Sequence, residues 1–137
     1  NNWCKQGLVN TFSLASRIEK ELGLKCGLDL PHKFKIAISG CPNGCTRPQA
    51  TEIGVHGQIN SVSKEAGYII YIGGCGGRTP RSGIRLEKVY TEDEVLHIIE
   101  IVVTRTIPKI ATPGRDTFGG YDFIGRRRVL ICRNLGI

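Results

Sequence analysis

The sequence predicts an α+β domain in which a small sheet is covered by helices. Three observations carry this. Apolar residues recur every three or four positions near the start and again near residue 95. Between these stretches the pattern changes to alternation and short apolar runs. The resulting order, helix then strands then helix, suits a layered fold. The 137 residues fit one domain, and a chain of this size buries roughly two-thirds of its unfolded surface.

The first element reads as a helix from about Lys5 to Leu22. Leu8, Phe12, Ala15, Ile18 and Leu22 would share one face, with Arg17, Glu19, Lys20 and Glu21 largely on the other, and Gly23 as the stop. Cys4 would then sit at the helix N-terminus, where backbone N–H groups favour a thiolate. A loop through Pro31 leads to a strand in which Phe34, Ile36 and Ile38 alternate with Lys33, Lys35 and Ala37, ending at Ser39-Gly40. A second strand is expected over Glu52 to His56, with Ile53 and Val55 on one face. A third covers Tyr68 to Ile72, apolar throughout and buried on both faces. Gly73 to Gly77 must be a loop, and a fourth strand is expected from Ile84 to Val89.

The second helix has the clearest signal. Thr91 and Glu94 form a capping box, Glu92 and Asp93 complement the helix dipole, and Val95, Ile98, Ile99, Val102 and Val103 make the apolar stripe. Pro108 ends it. Residues 1–110 are thus expected to form the domain, with 111–137 as an extension of uncertain structure. That extension is broken by Pro113-Gly114 and Gly119-Gly120, and carries Arg126, Arg127 and Arg128 before Val129, Leu130 and Ile131.

Composition narrows the function classes. The net charge of +7 favours anionic partners. The few aromatics do not interleave with the basic residues, so a stacking platform for nucleic acid lacks support. No apolar run approaches the ~20 residues that cross a bilayer; the longest, around Ile98 to Val103, is interrupted by Glu100. The chain has no Met and opens Asn-Asn-Trp-Cys, which resembles neither a signal peptide nor a usual start, so upstream sequence is expected.

Six cysteines, Cys4, Cys26, Cys41, Cys45, Cys75 and Cys132, allow disulfides, but the composition supports a core without them. The tight spacing of Cys41 and Cys45 points instead to a metal or cluster. They lie in Ser39-Gly40-Cys41-Pro42-Asn43-Gly44-Cys45-Thr46-Arg47-Pro48. Pro42, Asn43 and Gly44 allow the loop to fold tightly, and two thiolates on such a loop can hold one soft metal centre. Zinc sites also use short spacings, and Cys26 with Cys4, Cys41 and Cys45 would make a four-thiol zinc site. Two small buried residues is the plainer alternative.

A second motif is Gly73-Gly74-Cys75-Gly76-Gly77-Arg78-Thr79-Pro80-Arg81-Ser82-Gly83. Glycines such as Gly76 and Gly77 let backbone N–H groups approach a ligand, and Arg78 and Arg81 can pair with carboxylates. Arg47 can do the same from the end of the cysteine loop. A flexible glycine turn with solvated arginines is the alternative. Asn43 reads as a loop former, and Cys75 and Cys132 carry no assigned chemistry. His32, His56 and His97 show no ligand spacing.

Taken with its neighbours, the cysteine motif resembles the siroheme-dependent sulfite and nitrite reductase family, which binds a 4Fe–4S cluster through a Cys-x5-Cys pair and a later Cys-x3-Cys pair. Cys41 and Cys45 match the later pair. Trp3-Cys4-Lys5-Gln6-Gly7 is similar to the second half of the first, whose other cysteine would fall before this chain. The likeness runs from about Trp3 to Ile107, best over Phe34 to Gly57 and Tyr68 to Gly83. Phe118-Gly119-Gly120-Tyr121-Asp122-Phe123-Ile124 matches only loosely, and the Arg-rich ending departs from the pattern.

The resemblance implies a small mixed or antiparallel sheet of the nitrite/sulfite reductase 4Fe–4S type. It implies Cys4, Cys41 and Cys45 as cluster ligands, with Cys45 also ligating siroheme iron. Asn43, Arg47, Gly76, Gly77, Arg78 and Arg81 would border the cofactors. It further implies six-electron reduction of sulfite or nitrite in the cytoplasm, a ferredoxin or flavoprotein electron donor, and the remainder of the reductase as partner. The chain alone would be inactive. A small electron-transfer cluster module and a zinc-stabilised binding domain are the readings from other classes.

Overall fold

The computed structural model describes residues 4–23 and 34–106. In chain order these form α1 (Thr11–Ile18), continued by a π-helical turn over Glu19–Gly23, then β1 (Ile36–Ser39), a 3₁₀ turn (Pro48–Ala50), β2 (Ile53–Ile59), β3 (Ala66–Ile72), β4 (Ile84–Arg85) and α2 (Glu92–Glu100), which continues as a π-helical turn over Ile101–Thr106. Cys26, His32, Cys132, Pro108 and the expected extension over 111–137 lie outside the described residues.

The strands form one sheet in the order β1-β2-β3-β4. β1 runs parallel to β2, while β2 pairs with β3 and β3 with β4 antiparallel, so the sheet is mixed. Side chains alternate across its two faces. Ile53 and Val55 of β2, with their cross-strand partners Ile72 and Ile70, face the helices. There they join Leu14, Leu22, Val95, Ile98, Ile99, Val102 and Val103 in one core. Gly54 and His56, with partners Tyr71 and Ile69, occupy the opposite face.

α2 forms as its sequence predicts. The Thr91 hydroxyl accepts from the Glu94 N–H, and the Glu94 carboxylate accepts from the Thr91 N–H at 2.8 Å. Arg17 fastens α1 to α2 through Glu92 (2.9 Å) and Asp93 (2.7 Å).

Three elements differ from expectation. The first helix begins at Thr11, not near Lys5, because the Asn10 side chain accepts from the Ser13 N–H and caps it there. Leu8 and Val9 donate their N–H groups to Gly40 O instead, at 2.8 and 3.3 Å. Cys4 therefore stands well ahead of the helix N-terminus. The buried stripe is correspondingly Leu14 and Leu22, with Phe12 left 73% exposed. β2 extends to Ile59 because it gains antiparallel partners as far as Ala66. β4 stops at Arg85; the Leu86 N–H still donates to Ile70 O of β3 at 2.9 Å, and the next bridge to β3 is at Tyr90, which exchanges backbone bonds with Tyr68.

Candidate metal-cluster site

The parallel pairing of β1 and β2 determines where the cysteine loop goes. β1 ends at Ser39, yet β2 begins at Ile53, whose partner is Ile36 at the start of β1. The chain over 40–52 must therefore travel back along the strands. It does so on the face away from the helices: a Cβ on Gly54 would lie 1.8 Å from Pro48 O. Glycine at 54 lets the Pro48–Ala50 turn lie flat on the strand.

Within this crossover the backbone is tightly wound. The Gly44 N–H donates to Cys41 O (3.2 Å), Arg47 to Gly44 O (2.7 Å) and Ala50 to Arg47 O (2.9 Å). Gly44 has φ +58°, and Arg47 takes the same left-handed conformation at φ 54°, unusual for a side chain of its size. Cys41 is buried at 7% exposure, whereas Cys45, Asn43 and Arg47 are exposed. Both thiols are free.

The glycine loop packs against the end of this crossover. The Gly73 N–H donates to Glu52 O at 2.8 Å and Gly83 to Gln49 O at 2.7 Å. A Cβ on Gly74 would meet Gln49 O at 2.3 Å, and one on Gly76 would stand 3.3 Å from Ala50 O. Cys75 and Arg81 exchange backbone bonds of 2.9 and 2.8 Å, which close the loop. Gly76, Gly77 and Arg78 are exposed at its tip, and Arg81 is half-buried. The glycine motif thus lies against residues 49–52, which directly follow the cysteine motif. The described ion pairs gather on Arg17 and Lys88, so Arg47, Arg78 and Arg81 are in none of them. The Cys75 sulfur accepts from the Gly77 N–H at 3.4 Å, a bond internal to the loop.

Cys4 is exposed on a turn closed by the Gly7 N–H donating to Cys4 O at 3.2 Å. The next residues are bonded to Gly40, directly before Cys41. The two cysteine-bearing segments are therefore joined at Gly40. Among the described residues, however, no three His, Cys, Asp or Glu side chains gather into a group able to hold a metal ion. The Cys41–Cys45 pair fits a cluster in donor chemistry and in the tightness of its turn. Cys4 is neighbouring chain and not yet a third ligand.

His56 is buried opposite the helices, with Nδ1 3.1 Å from Gly57 O and Nε2 3.4 Å from the Tyr71 hydroxyl. His97 is exposed on α2. Sequence reasoning passed over Gly54 and the Ser39–Thr46 pair. A glycine inside an apolar strand, and a hydroxyl at the strand end before a thiol loop, were the available signals.

Fold and site together define an α+β domain with a two-thiol turn in the crossover between the parallel strands of a mixed sheet. The chain belongs to the family described as the nitrite and sulphite reductase 4Fe-4S domain, whose model matches residues 1–105. It is 29% identical to the coenzyme F420-dependent sulfite reductase of Methanocaldococcus jannaschii, over 73% of this chain and 24% of that protein. It is 30% identical to the nitrite reductase [NAD(P)H] of Emericella nidulans, over 98% of this chain and 12% of the other. Its fold is that of the Mycobacterium tuberculosis NirA protein, with a TM-score of 0.69 at 24% identity, covering 93% of this chain and 23% of that one. The chain therefore spans less than a quarter of NirA and no more than about a quarter of these two relatives. No helix among the described residues is long and apolar enough to cross a membrane.

Proposed function

We propose that this chain is the cluster- and siroheme-binding part of a sulfite or nitrite reductase. The observation that carries the reading is the crossover loop, which winds Cys41 and Cys45 into one tight turn and whose far end, residues 49–52, packs on the arginine-bearing glycine loop. Cys41, Cys45 and Cys4 are the cluster thiolates, and Cys45, the exposed member of the pair, is also the ligand shared with siroheme. When bound, these cofactors supply the electron transfer and anion binding for six-electron reduction of sulfite to sulfide or nitrite to ammonia.

The chain's own residues bind and orient. Cys41 enters from a buried position and fixes one ligand relative to the sheet. Arg47, Arg78 and Arg81 neutralise cofactor carboxylates, and the N–H groups of Gly76 and Gly77 approach closely because no side chain intervenes. Asn43 shapes the turn between the thiols. The remainder of the reductase supplies the groups that grip the anion, and a ferredoxin or flavoprotein supplies electrons. The family match and the sulfite and nitrite reductase relatives support this reading.

The test is anaerobic reconstitution of the chain with iron and sulfide, followed by iron and acid-labile sulfide analysis. Iron uptake that is lost in Cys41→Ser and Cys45→Ser, and kept in Cys75→Ser, is expected. The bound cluster should be oxygen-sensitive, because Cys4, Cys41 and Cys45 offer three thiolates to a four-iron cluster. Stoichiometric zinc in a colourless protein that chelators unfold would replace this reading with the zinc-domain one.

A further inference from the structure

The thiol turn has an anchor to which the proposed function assigns no role. Ser39, the last residue of β1, is 5% exposed. Its Oγ accepts from the Thr46 N–H at 3.2 Å and lies 2.6 Å from the Thr46 hydroxyl. These two bonds tie the residue before Gly40-Cys41 to the residue after Cys45. The loop between them contains both thiols and closes on itself.

Ser39 is itself fixed, because it is the ladder partner of buried His56 in β2. Thr46 is fixed from the other side. It precedes Arg47, which is held in the left-handed region, and buried Pro48, which rests on Gly54. The loop therefore spans two points that the sheet already defines. Opening it would leave a nearly buried Ser39 hydroxyl without its partner, which costs more than breaking an exposed bond.

We propose that the Ser39–Thr46 hydroxyl pair is a positioning element. It holds the Cys41 and Cys45 sulfurs as a preformed two-thiolate ligand, so that folding, and not metal binding, supplies the order of the loop. The inference deepens the cluster-binding reading and rests on it for the identity of the metal. The loop geometry stands independently of that reading. Neither hydroxyl touches the metal, and both act through the cysteines.

The experiment uses the full chain in four forms: parent, Thr46→Val, which removes the hydroxyl at nearly constant shape, Thr46→Ser, which keeps it, and Ser39→Ala. Amide hydrogen exchange over 41–47 is read in metal-free protein. Cadmium(II) binding is read by thiolate-to-metal absorbance, with Cys41→Ser marking the signal of the pair. Thr46→Val and Ser39→Ala should exchange faster at these amides and bind cadmium about tenfold more weakly, in the range of supporting groups behind metal ligands. Thr46→Ser should match the parent in both. Cadmium affinity in Thr46→Val equal to the parent's overturns the proposal. So does weakened binding in Thr46→Val that Thr46→Ser shares. If Thr46→Val does not fold, the Ser39→Ala and Thr46→Ser pair still decides. A parent chain that binds cadmium at the pair but takes up no iron and sulfide overturns the cluster reading and leaves the positioning role intact.

Discussion

Replacing Gly54 with alanine tests the geometry on which the site depends. The new methyl would stand 1.8 Å from Pro48 O, 2.3 Å from Pro48 C and 2.6 Å from Pro48 Cα, where ordinary contact begins at 3.4 Å. All three obstacles belong to buried Pro48, and two are backbone carbonyl atoms, so no side-chain rotation relieves the clash. The Pro48–Ala50 turn must rise off the sheet or β2 must bend. Overpacking of this kind typically costs 1–3 kcal/mol, and the backbone obstacle places Gly54→Ala near the top, at about 3 kcal/mol. For a domain of this size that lowers the melting temperature by about 10 °C. Gly23→Ala is the control: among the described residues nothing lies within 4 Å of its Cβ position, and the substitution should be neutral or stabilise by up to about 1 kcal/mol. The assay is thermal and urea unfolding of the two variants beside the parent. Because the displaced turn is the exit of the cysteine loop, Gly54→Ala should also weaken metal binding at the thiol pair. A Gly54→Ala protein as stable as Gly23→Ala would refute the claim that the crossover lies pressed on this face.

Other outcomes follow from the helix side. Burial of the Tyr68 ring, with Glu92 beside it, pushes its hydroxyl up to about 12 from the ordinary 10.0. The unfolded chain therefore loses this proton first, and stability should fall as the pH rises from 10.0 to about 12. Urea titrations across that interval should show a shallower fall in Tyr68→Phe, the difference being at most about 1.4 kcal/mol per pH unit. Thr91→Ala removes the acceptor for the Glu94 N–H and should cost about 1 kcal/mol in chemical denaturation. The Lys88 ammonium, and then the Thr91 N–H, hold the Glu94 carboxyl below the usual carboxylate range. Its contribution is therefore present above that range and lost as the pH falls through the lowered value, so Glu94→Gln should flatten this part of the acid limb. Ile99→Ala empties a site with no solvent exposure and should cost 2–5 kcal/mol.

How much was legible depends on how local the cause was. α2 was readable because its cap and its stripe are set by residues three or four apart, and the structure forms both. β3 was readable as a short apolar run buried on both faces, as Ile69 and Ile70 are. The helical periodicity from Leu8 onward suggested an earlier start for α1, but the competing partner, Gly40 O, lies far along the chain. The short β4 likewise depends on where β3 meets Tyr90 again.

For the site, the sequence by itself determined which donor groups are on offer. Two thiols on a turn that Pro42, Asn43 and Gly44 wind tightly, and a glycine loop bearing Arg78 and Arg81, are legible as candidate ligand groups without the fold. Only the tertiary structure decided that the glycine loop packs on residues 49–52, at the exit of the cysteine loop. Parallel pairing of β1 with β2 sends the cysteine loop back across one face, and Gly54 and Gly74 then let backbone pack on backbone there. Strand direction is a property of pairing between distant segments, and no local propensity in either segment encodes it.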